Sequence, residues 1–297
     1  MTDSLRFKWK LIAWAASRSP ATETIAPVKA RAVMGRSTRG PAVVMGRHPK
    51  LASVRDEQVA GVKVRRYLPE GAKPGVLIYF HGGGWVIGDV DSHDSPARGL
   101  AVATGREVVS VDYRLAPEHR YPAALDDSLA VTRALAAENR VAIAGDSAGG
   151  NLAAVVANTC AREGITLVAQ VLLYPVTDCA AETGSYETFA SGHLLTRETM
   201  RYFRREYVPD EVRRQEPDCS PLRADSVRGV APAYVLLAGC DVLRDEGRAY
   251  ARKLAADGVE TKFDEVPGVL HGFFSLQGLS EGKAATLRVA QWLDLRW

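Results

Sequence analysis

Cysteine is scarce in this sequence, and its few cysteines form no recognisable metal site. The 297 residues include only Cys160, Cys179, Cys219 and Cys240, with no C-x-x-C pair and no histidine at the spacing of a zinc ligand. A disulfide framework is equally unsupported, because the four residues are scattered along the chain. The sequence therefore predicts buried thiols in a reducing compartment and no bound metal.

Long hydrophobic runs are also absent. The N-terminal stretch MTDSLRFKWKLIAWAAS places basic residues before an apolar segment, but LIAWAA is shorter than the roughly 7 to 15 apolar residues of a signal peptide. No stretch reaches the length of about 20 residues that crosses a bilayer, so we expect a cytoplasmic protein without stable membrane insertion. A helix with Leu5, Trp9, Ile12 and also Leu11 on one side is expected here, either covering a pocket or touching a membrane surface.

The sequence has no large excess of charge of one sign. The formal net charge is +3 over the whole chain, which does not indicate a nucleic-acid-binding protein. The densest basic cluster, RYFRREY at 201–207, carries its aromatic residues at helical spacing. This spacing is typical of an amphipathic helix with a solvated basic face.

Short apolar runs that alternate with helical patterns are what the sequence does contain. The apolar runs lie at 62–68, 75–80, 107–113, 141–145, 167–174 and 233–239. The helical patterns lie at 122–138, 148–162, 244–257 and 281–297. Several runs are almost continuously hydrophobic, as in strands buried on both faces, and the alternation predicts an α/β protein with a mostly parallel sheet flanked by helices. The polar alternation near 54–68 predicts an antiparallel edge.

Two stretches fall outside this alternation. Residues 1–50 are predicted to form N-terminal cap helices, and residues 178–215 are predicted to be a cap insertion with a helix from about Thr196. The core is then expected in two parts, 51–177 and 216–297. Together the two outlying stretches would cover the ends of the strands.

The stretch GDSAG at 145–149 is the sharpest chemical signal. It matches G-x-S-x-G between a predicted strand and a predicted helix, a strained turn that exposes the hydroxyl of its serine. Ser147 is therefore the candidate nucleophile. The N–H of Ala148 lies at the start of the helix, where the helix dipole favours a developing oxyanion.

Three consecutive glycines follow the predicted strand at 75–80. Glycine exposes its backbone N–H without a side chain in front of it, so the loop HGGGW can bring further donors to the same oxyanion. We predict Gly82 and Gly83 as these donors. A phosphate cradle is disfavoured, since neither G-K-[ST] nor G-x-G-x-x-G follows.

A serine nucleophile needs a base, and the base needs a carboxylate to hold its tautomer. Asp241 directly follows a predicted strand, and His271 lies in a glycine-containing loop after another β-like run. The order Ser147, Asp241, His271 is that of an α/β-hydrolase triad.

Other acids compete with Asp241 for this role. Asp245 and Glu246 lie where the next helix should begin, where acids are favoured by the dipole without any catalytic role. Asp178 also follows a predicted strand, but it precedes the predicted insertion, so we assign the role to Asp241. The histidines interpreted as structural or solvated are His48, His93, His119 and His193.

These motifs together resemble the hormone-sensitive lipase family, in its microbial branch with a GDSAG elbow. The resemblance spans about residues 50–297 and depends on HGGGW (81–85), DYRLAPEHRYPAALDD (112–127), GDSAGGNLA (145–153), DVLRDEG (241–247) and HGF (271–273). It implies an α/β-hydrolase fold with a partly N-terminal helical cap. It also implies a Ser147–Asp241–His271 triad and oxyanion donors at Gly82, Gly83 and Ala148.

Some features depart from the family or lie beside its chemistry. Val242 stands where the family often has proline, which loosens the turn after the acid, and the cap sequences match no pattern that fixes substrate size. His81 and Trp85 are interpreted as residues that shape the glycine loop. The C-terminal Trp297 is expected either to pack on the sheet or to contribute to a homodimer contact.

The predicted function is a serine carboxylesterase that cleaves short to medium acyl esters through an acyl-enzyme, without metal or cofactor. One alternative is a lipase acting on longer chains, which would need a broad apolar surface around the pocket. The other is a non-catalytic receptor on the same scaffold, as in the gibberellin receptors, which lack the catalytic histidine. The intact HGF motif at 271–273 favours an enzyme.

Overall fold

Eight strands of the described residues form one sheet. The structure is a computed structural model that describes residues 4–37 and 40–297. The strands are β1 (Ser53–Val59), β2 (Val62–Leu68), β3 (Lys73–Phe80), β4 (Arg106–Val111), β5 (Val141–Asp146), β6 (Gln170–Leu173), β7 (Ala233–Cys240) and β8 (Thr261–Leu270). Their order is β1-β2-β4-β3-β5-β6-β7-β8. β2 pairs antiparallel with β1 and β4, and all other pairs are parallel.

Burial along the strands follows the hydrophobic pattern of the sequence. Every residue of β5, β6 and β7 is buried, as expected for parallel strands covered on both faces. β1 contains only exposed and half-buried residues, which suits its place at the antiparallel edge. The predicted mostly parallel sheet is therefore confirmed, with its central strands the most hydrophobic.

Helices cover both faces of the sheet. They are α1 (Phe7–Ala16), α2 (Pro27–Ser37), α3 (Ala42–Met45), α4 (Asp94–Thr104), α5 (Ala123–Ala136), α6 (Ala148–Arg162), α7 (Gly184–Thr188), α8 (Arg197–Tyr207), α9 (Arg244–Ala256) and α10 (Ser280–Asp294). Helices α5, α6 and α9 pack on one face, and α4 and α10 pack on the other. None of the helices described is long and apolar enough to cross a membrane.

The helical predictions agree with the structure at the core and miss one element. Helix α6 occupies the predicted residues 148–162, and α5, α9 and α10 begin within one residue of their predicted starts. Helix α4 was not predicted. Its sequence DSPARGLAVAT contains Pro96 and Gly99, which obscure a helical pattern, yet most of its residues on the sheet side are buried.

The two stretches outside the alternation are helical. Helices α1, α2 and α3 precede the sheet, and α7 and α8 lie between β6 and β7, with Thr196 as the N-cap of α8. Residues 1–3, 38 and 39 of the predicted cap lie outside the described residues. The boundaries 1–50 and 178–215 stay predictions, because the helices alone do not define a separate unit.

Side-chain hydrogen bonds attach the N-terminal helices to the rest of the protein. Arg31 of α2 donates to the carbonyl oxygens of Val86 (2.8 Å) and Ala116 (2.8 Å). Thr199 of α8 donates to Glu23 Oε2 at 2.9 Å. The N-terminal segment therefore contacts the loop after β3, the segment after β4 and helix α8.

Helix α8 differs from its prediction at one basic residue. Tyr202, Phe203 and Tyr207 are buried on the inner face, and Arg201 is exposed as expected. Arg204, however, is buried: it hydrogen-bonds the Tyr186 hydroxyl and donates to the Asp178 carbonyl oxygen at 3.1 Å. The prediction of a wholly solvated basic face is therefore wrong for Arg204.

The C-terminal Trp297 packs within its own chain. The Arg106 guanidinium lies 4.6 Å from the centre of its ring. A Cβ added to Gly75 would lie 2.4 Å from the same ring, so glycine is needed there for the close approach. Of the two expectations for Trp297, the structure shows packing beside the sheet.

Candidate active site

The nucleophile elbow has the strained geometry that its sequence predicts. Ser147 joins β5 to α6 with a φ of 57°, a value that residues other than glycine rarely adopt. Its N–H donates to Leu173 O at 2.9 Å, which ties the turn to the neighbouring strand. A Cβ on Gly145 would lie 2.1 Å from Gly149 O, so strand and helix can cross only where these residues are small.

The sheet brings the three predicted triad residues together. Ser147, Asp241 and His271 each follow the last residue of a parallel strand, β5, β7 and β8 respectively. His271 Nε2 lies 2.9 Å from Ser147 Oγ, and its Nδ1 lies 2.6 Å from Asp241 Oδ2. Both distances are within hydrogen-bonding range, so the carboxylate can orient the imidazole toward the hydroxyl.

The competing acids point elsewhere. Asp241 is 1% exposed, and its second oxygen accepts the N–H of Leu243 at 3.0 Å, which locks the carboxylate in place. Asp245 pairs with Arg248 at 3.1 Å, and Asp178 pairs with an arginine of the segment before β7. Among these candidates, Asp241 is the one that hydrogen-bonds His271.

Tyr174 is a neighbour of the triad that the sequence did not single out. It lies after β6 with a φ of 36°, and its ring meets His271 edge to face, with ring centres 4.7 Å apart. Phe273 packs on the same tyrosine at 5.7 Å. The aromatic contacts limit how far the imidazole can turn. The only sequence signal was the strand end LLYP, which carries no polar motif.

The glycine loop is held by the residue that precedes the nucleophile. Asp146 Oδ1 accepts the N–H of Gly82 at 2.9 Å and the hydroxyl of Tyr79 at 2.6 Å. The N–H of Gly82 is therefore already occupied, and the prediction that Gly82 is an oxyanion donor is wrong. The loop needed this glycine for another reason, since a Cβ at Gly82 would lie 2.5 Å from the Asp146 carboxylate.

The other candidate donors have free N–H groups. Within residues 4–37 and 40–297, no acceptor is found for the N–H of Gly83, Gly84 or Ala148. Gly83 and Gly84 have φ values of 119° and 59°, which favour glycine. A Cβ on Gly83 would lie 2.1 Å from Ile87 O. These three N–H groups are therefore candidate oxyanion donors.

Two buried histidines support the glycine loop. His81 stacks on Tyr113 with ring centres 4.2 Å apart, and the Tyr113 hydroxyl donates to His81 O at 2.7 Å. Burial lowers the pKa of His81 to about 4, so its ring is neutral. His93 Nε2 lies 3.7 Å from Asp146 Oδ2. Burial acts to raise the pKa of Asp146, but His93 and the Tyr79 hydroxyl outweigh it and lower that pKa.

Comparison with protein families identifies the fold family. Residues 77–275 match the model of a family described as the alpha/beta hydrolase fold. The chain belongs to this family. The predicted resemblance to the hormone-sensitive lipase group is thereby confirmed, and so is the predicted fold class.

Two similar curated proteins are ester hydrolases by name. Carboxylic ester hydrolase LipN of Mycobacterium tuberculosis is 42% identical over 241 residues, which cover 75% of this chain and 64% of that protein. Ethyl acetate hydrolase of Pseudomonas putida is 40% identical over 73% of each chain. The chain thus spans less than two thirds of the length of LipN.

Solved structures match over nearly the whole chain. An α/β hydrolase from the metagenome of Lake Arreo, Spain, is 37% identical, with a TM-score of 0.92 over 99% of both chains. An esterase of the archaeon Pyrobaculum calidifontis is 33% identical, with a TM-score of 0.93 over 98% of both chains. The similarity therefore includes the helical segments outside the sheet.

This α/β hydrolase also carries a buried acid at a position where the sequence predicts the start of a helix. Glu246 is fully buried and accepts the N–H of Thr177 at 2.7 Å. Burial raises its pKa to about 7, against the opposing effect of Arg204, whose Nη2 lies 3.9 Å from Glu246 Oε2. Glu246 therefore links the core helix α9 to helix α8, which the interpretation as an ordinary helix-start acid missed.

Proposed function

We propose that this protein is a serine carboxylesterase, with Ser147, Asp241 and His271 as its triad. The observation that carries the proposal is the continuous chain from Ser147 Oγ through His271 to Asp241, with distances of 2.9 and 2.6 Å. The names of relatives at 40% and 42% identity support the same reaction. Retention of the histidine argues against a receptor function.

The reaction then has two halves. Ser147 Oγ attacks the ester carbonyl carbon while His271 Nε2 takes the hydroxyl proton, and Asp241 holds the Nδ1–H and stabilises the imidazolium. His271 passes the proton to the leaving alkoxide, which departs as the alcohol. A water molecule, deprotonated by His271, then attacks the acyl-enzyme and releases the carboxylic acid. All steps are proton transfers and acyl transfers on these residues.

The oxyanion of each tetrahedral intermediate is held by backbone N–H groups. We assign this role to Gly83 and Ala148, and to Gly84 in place of Gly82. The support is that these N–H groups have no acceptor among the described residues, whereas that of Gly82 is bound by Asp146. Preorganised donors of this kind stabilise charge that develops only in the transition state.

The substrate is proposed to be an ester with a short to medium acyl chain, under a cap formed by residues 1–50 and 178–215. Helix α8 supports this assignment, because a Cβ on Gly84 would lie 2.1 Å from the Phe203 ring. Tyr207 of the same helix stacks on Trp85 with ring centres 4.4 Å apart. Aromatic side chains of α8 therefore press directly on the glycine loop and limit the space beside it.

The proposal extends to the cellular location, the binding partners and the oligomeric state of the protein. Four buried, free thiols support a cytoplasmic location. The expected partner is a small-molecule ester, with no nucleic acid. Homodimerisation stays a prediction that light scattering can test.

The deciding experiment is hydrolysis of p-nitrophenyl esters from acetate to palmitate. A maximum at short or medium chains supports the proposal, and a maximum at palmitate would make the protein a lipase. Folded protein without turnover on any of these esters would contradict carboxylesterase function and favour a receptor. Ser147→Ala, with an unchanged circular dichroism spectrum, is the control for contaminating esterases.

A further inference from the structure

The N-terminal segment has a charge balance opposite to that of the rest of the chain. Residues 1–50 contain ten lysines and arginines and two acidic residues, a formal charge of +8. Since the whole chain carries +3, residues 51–297 carry −5. The small total thus hides an asymmetry of the kind that points to an anionic partner.

Most of these cations are not used inside the protein. Arg6 and Lys8 pair with Glu281, and Arg31 pairs with Glu118. Six other exposed cations form no ion pair with any residue that the structure describes: Lys10, Arg18, Lys29, Arg36, Arg47 and Lys50. Their charge is available to a partner in solution.

The same segment exposes large apolar side chains on one helix. Phe7, Leu11 and Trp14 of α1 are 76%, 51% and 57% exposed, and their spacing of four and three residues places them on one face. The opposite face already packs on the protein through the buried Trp9. A helix that is apolar on both sides is normally covered on both sides, so the outer face of α1 needs a partner.

Exposed apolar residues are concentrated in this part of the molecule. Of the twelve large hydrophobic residues that are exposed in the described part of the chain, five lie within residues 4–45. The two outside α1 are Val28 and Val43, at 68% and 73% exposure. Scattered single residues need no explanation, but three on one helix face, as in α1, mark an interaction surface.

We propose that the outer face of α1, formed by Phe7, Leu11 and Trp14 and flanked by Lys10 and Arg18, docks onto an anionic phospholipid surface. Aromatic and aliphatic side chains enter the boundary between headgroups and acyl chains, while nearby cations attract the lipid phosphates. The Arg18 guanidinium already lies 3.4 Å from the centre of the Trp14 ring, so a cation and an indole are presented together.

Other occupants fit this face less well. A nucleic acid would use the cations but would leave Phe7 and Leu11 in water. A second copy of the chain would bring two segments of charge +8 together, which opposes association. An anionic bilayer satisfies both the apolar residues and the cations.

Docking through this face would also bring to the lipid a helix that is joined to the strand preceding the proposed base. The N–H of Arg6, just before α1, donates to Gly268 O at 3.1 Å. Gly268 is three residues before His271, so α1 is fixed to the segment that carries the proposed base. Esters dissolved in or released from the bilayer would then reach the site from a docked enzyme.

Vesicle co-sedimentation tests the proposal without using catalytic activity. Phosphatidylcholine vesicles are compared with the same vesicles containing about 30% phosphatidylglycerol. We expect sedimentation with the anionic vesicles only, and its loss near 1 M salt, where the screening length falls to about 3 Å. Absence of binding to anionic vesicles by folded protein overturns the proposal, as does equal binding to both compositions.

Variants separate this surface from non-specific binding. Lys10→Glu combined with Arg18→Glu should weaken binding at least about tenfold, and Phe7→Ser with Trp14→Ser should have an effect of the same order. Leu295→Ser, at an 84% exposed apolar residue elsewhere, is the matched control and should bind like the wild type. Circular dichroism and thermal unfolding establish that each variant is folded. Unchanged binding of both double variants overturns the proposal, and so does a dimer in light scattering that Phe7→Ser with Trp14→Ser abolishes.

Discussion

The carboxyl edge of the sheet and the helices outside it are positioned in different ways. At the edge, Ser147, Asp241 and His271 each follow a strand whose hydrogen bonds fix its position to neighbouring strands. Outside the sheet, α1, α2 and α8 are attached mainly by side chains, such as Arg31 and Arg204. The comparison indicates that strand pairing positions the candidate catalytic residues, whereas side-chain contacts hold the outer helices in place.

The largest effect is expected at the edge itself. Ser147→Ala and His271→Ala should each lower kcat by about 10⁴- to 10⁶-fold, because the proposed nucleophile and the proposed base would act as one unit. The double variant should be little worse than either single variant. Hydrolysis of a short p-nitrophenyl ester measures all three. If the losses of the two single variants added up in the double variant, Ser147 and His271 would not act as one unit.

Loss of the proposed triad acid, Asp241, should lower kcat almost as much. Asp241→Asn is expected to lower kcat by about 10⁴-fold, since the imidazole then takes the wrong tautomer. Asp245→Asn is the matched control in the first turn of α9, and its ion pair with Arg248 lies outside the triad. Kinetics on one ester at saturating substrate measure both. A larger loss for Asp245→Asn would move the acid assignment.

A smaller effect is expected beneath the glycine loop. Asp146→Ala removes the acceptor of the Gly82 N–H and of the Tyr79 hydroxyl, so the oxyanion donors lose their support. We expect kcat to fall by about 10- to 100-fold with little change in KM, less than the loss of a donor itself. Asp146→Asn keeps one acceptor oxygen and should recover much of the rate. A change in KM alone would mean that Asp146 does not position the oxyanion donors.

The smallest effect is expected at Glu246, where the core helix α9 meets α8. It is a change in the free energy of unfolding with pH. Burial is the main cause that raises the pKa of Glu246 from 4.5 to about 7. A raised carboxyl pKa means that the folded state binds more protons than the unfolded state, so this group's contribution falls as pH rises from about 4.5 to 7 and is then constant. By itself this pKa shift corresponds to a change of about 3 kcal/mol in the free energy of unfolding.

Glu246→Gln tests this prediction because glutamine does not ionise. The thermal midpoint of the variant, relative to the wild type, should rise between pH 4.5 and 7.5, whatever its offset at low pH. Asp245→Asn, at the neighbouring and partly exposed position, is the control for general effects of charge removal. A difference that stays constant across this range would mean that Glu246 is ionised throughout, held by Arg204.

Sequence patterns were most informative where local sterics decide the structure. The strand–turn–helix around Ser147 could be predicted because the positions two residues before and two residues after the serine accept few residues other than glycine. Helix α6 accordingly begins and ends where it was expected. Helix α4 could not be predicted from its interrupted pattern, because its stability comes from packing on the sheet and on α10.

Predictions about hydrogen bonding were less complete. A run of three glycines signals exposed backbone N–H groups, but not which of them are already bound. The Gly82 N–H is taken by Asp146, a residue 64 positions away. Glu246 likewise had the sequence position of a helix-start acid, and only the structure shows that it is buried, with contacts to Thr177 and Arg204.

By itself, the sequence determined the alternation of strands and helices, the elbow at Ser147 and the chain order of the candidate triad, because these depend on residues close in sequence. Tertiary structure alone decided that Asp241 hydrogen-bonds His271 and that Asp146 accepts the N–H of Gly82. It also decided that α1 buries Trp9 and exposes the face formed by Phe7, Leu11 and Trp14. These outcomes depend on which strands pair and which faces meet. Pairing and packing are long-range, so no local pattern encodes them.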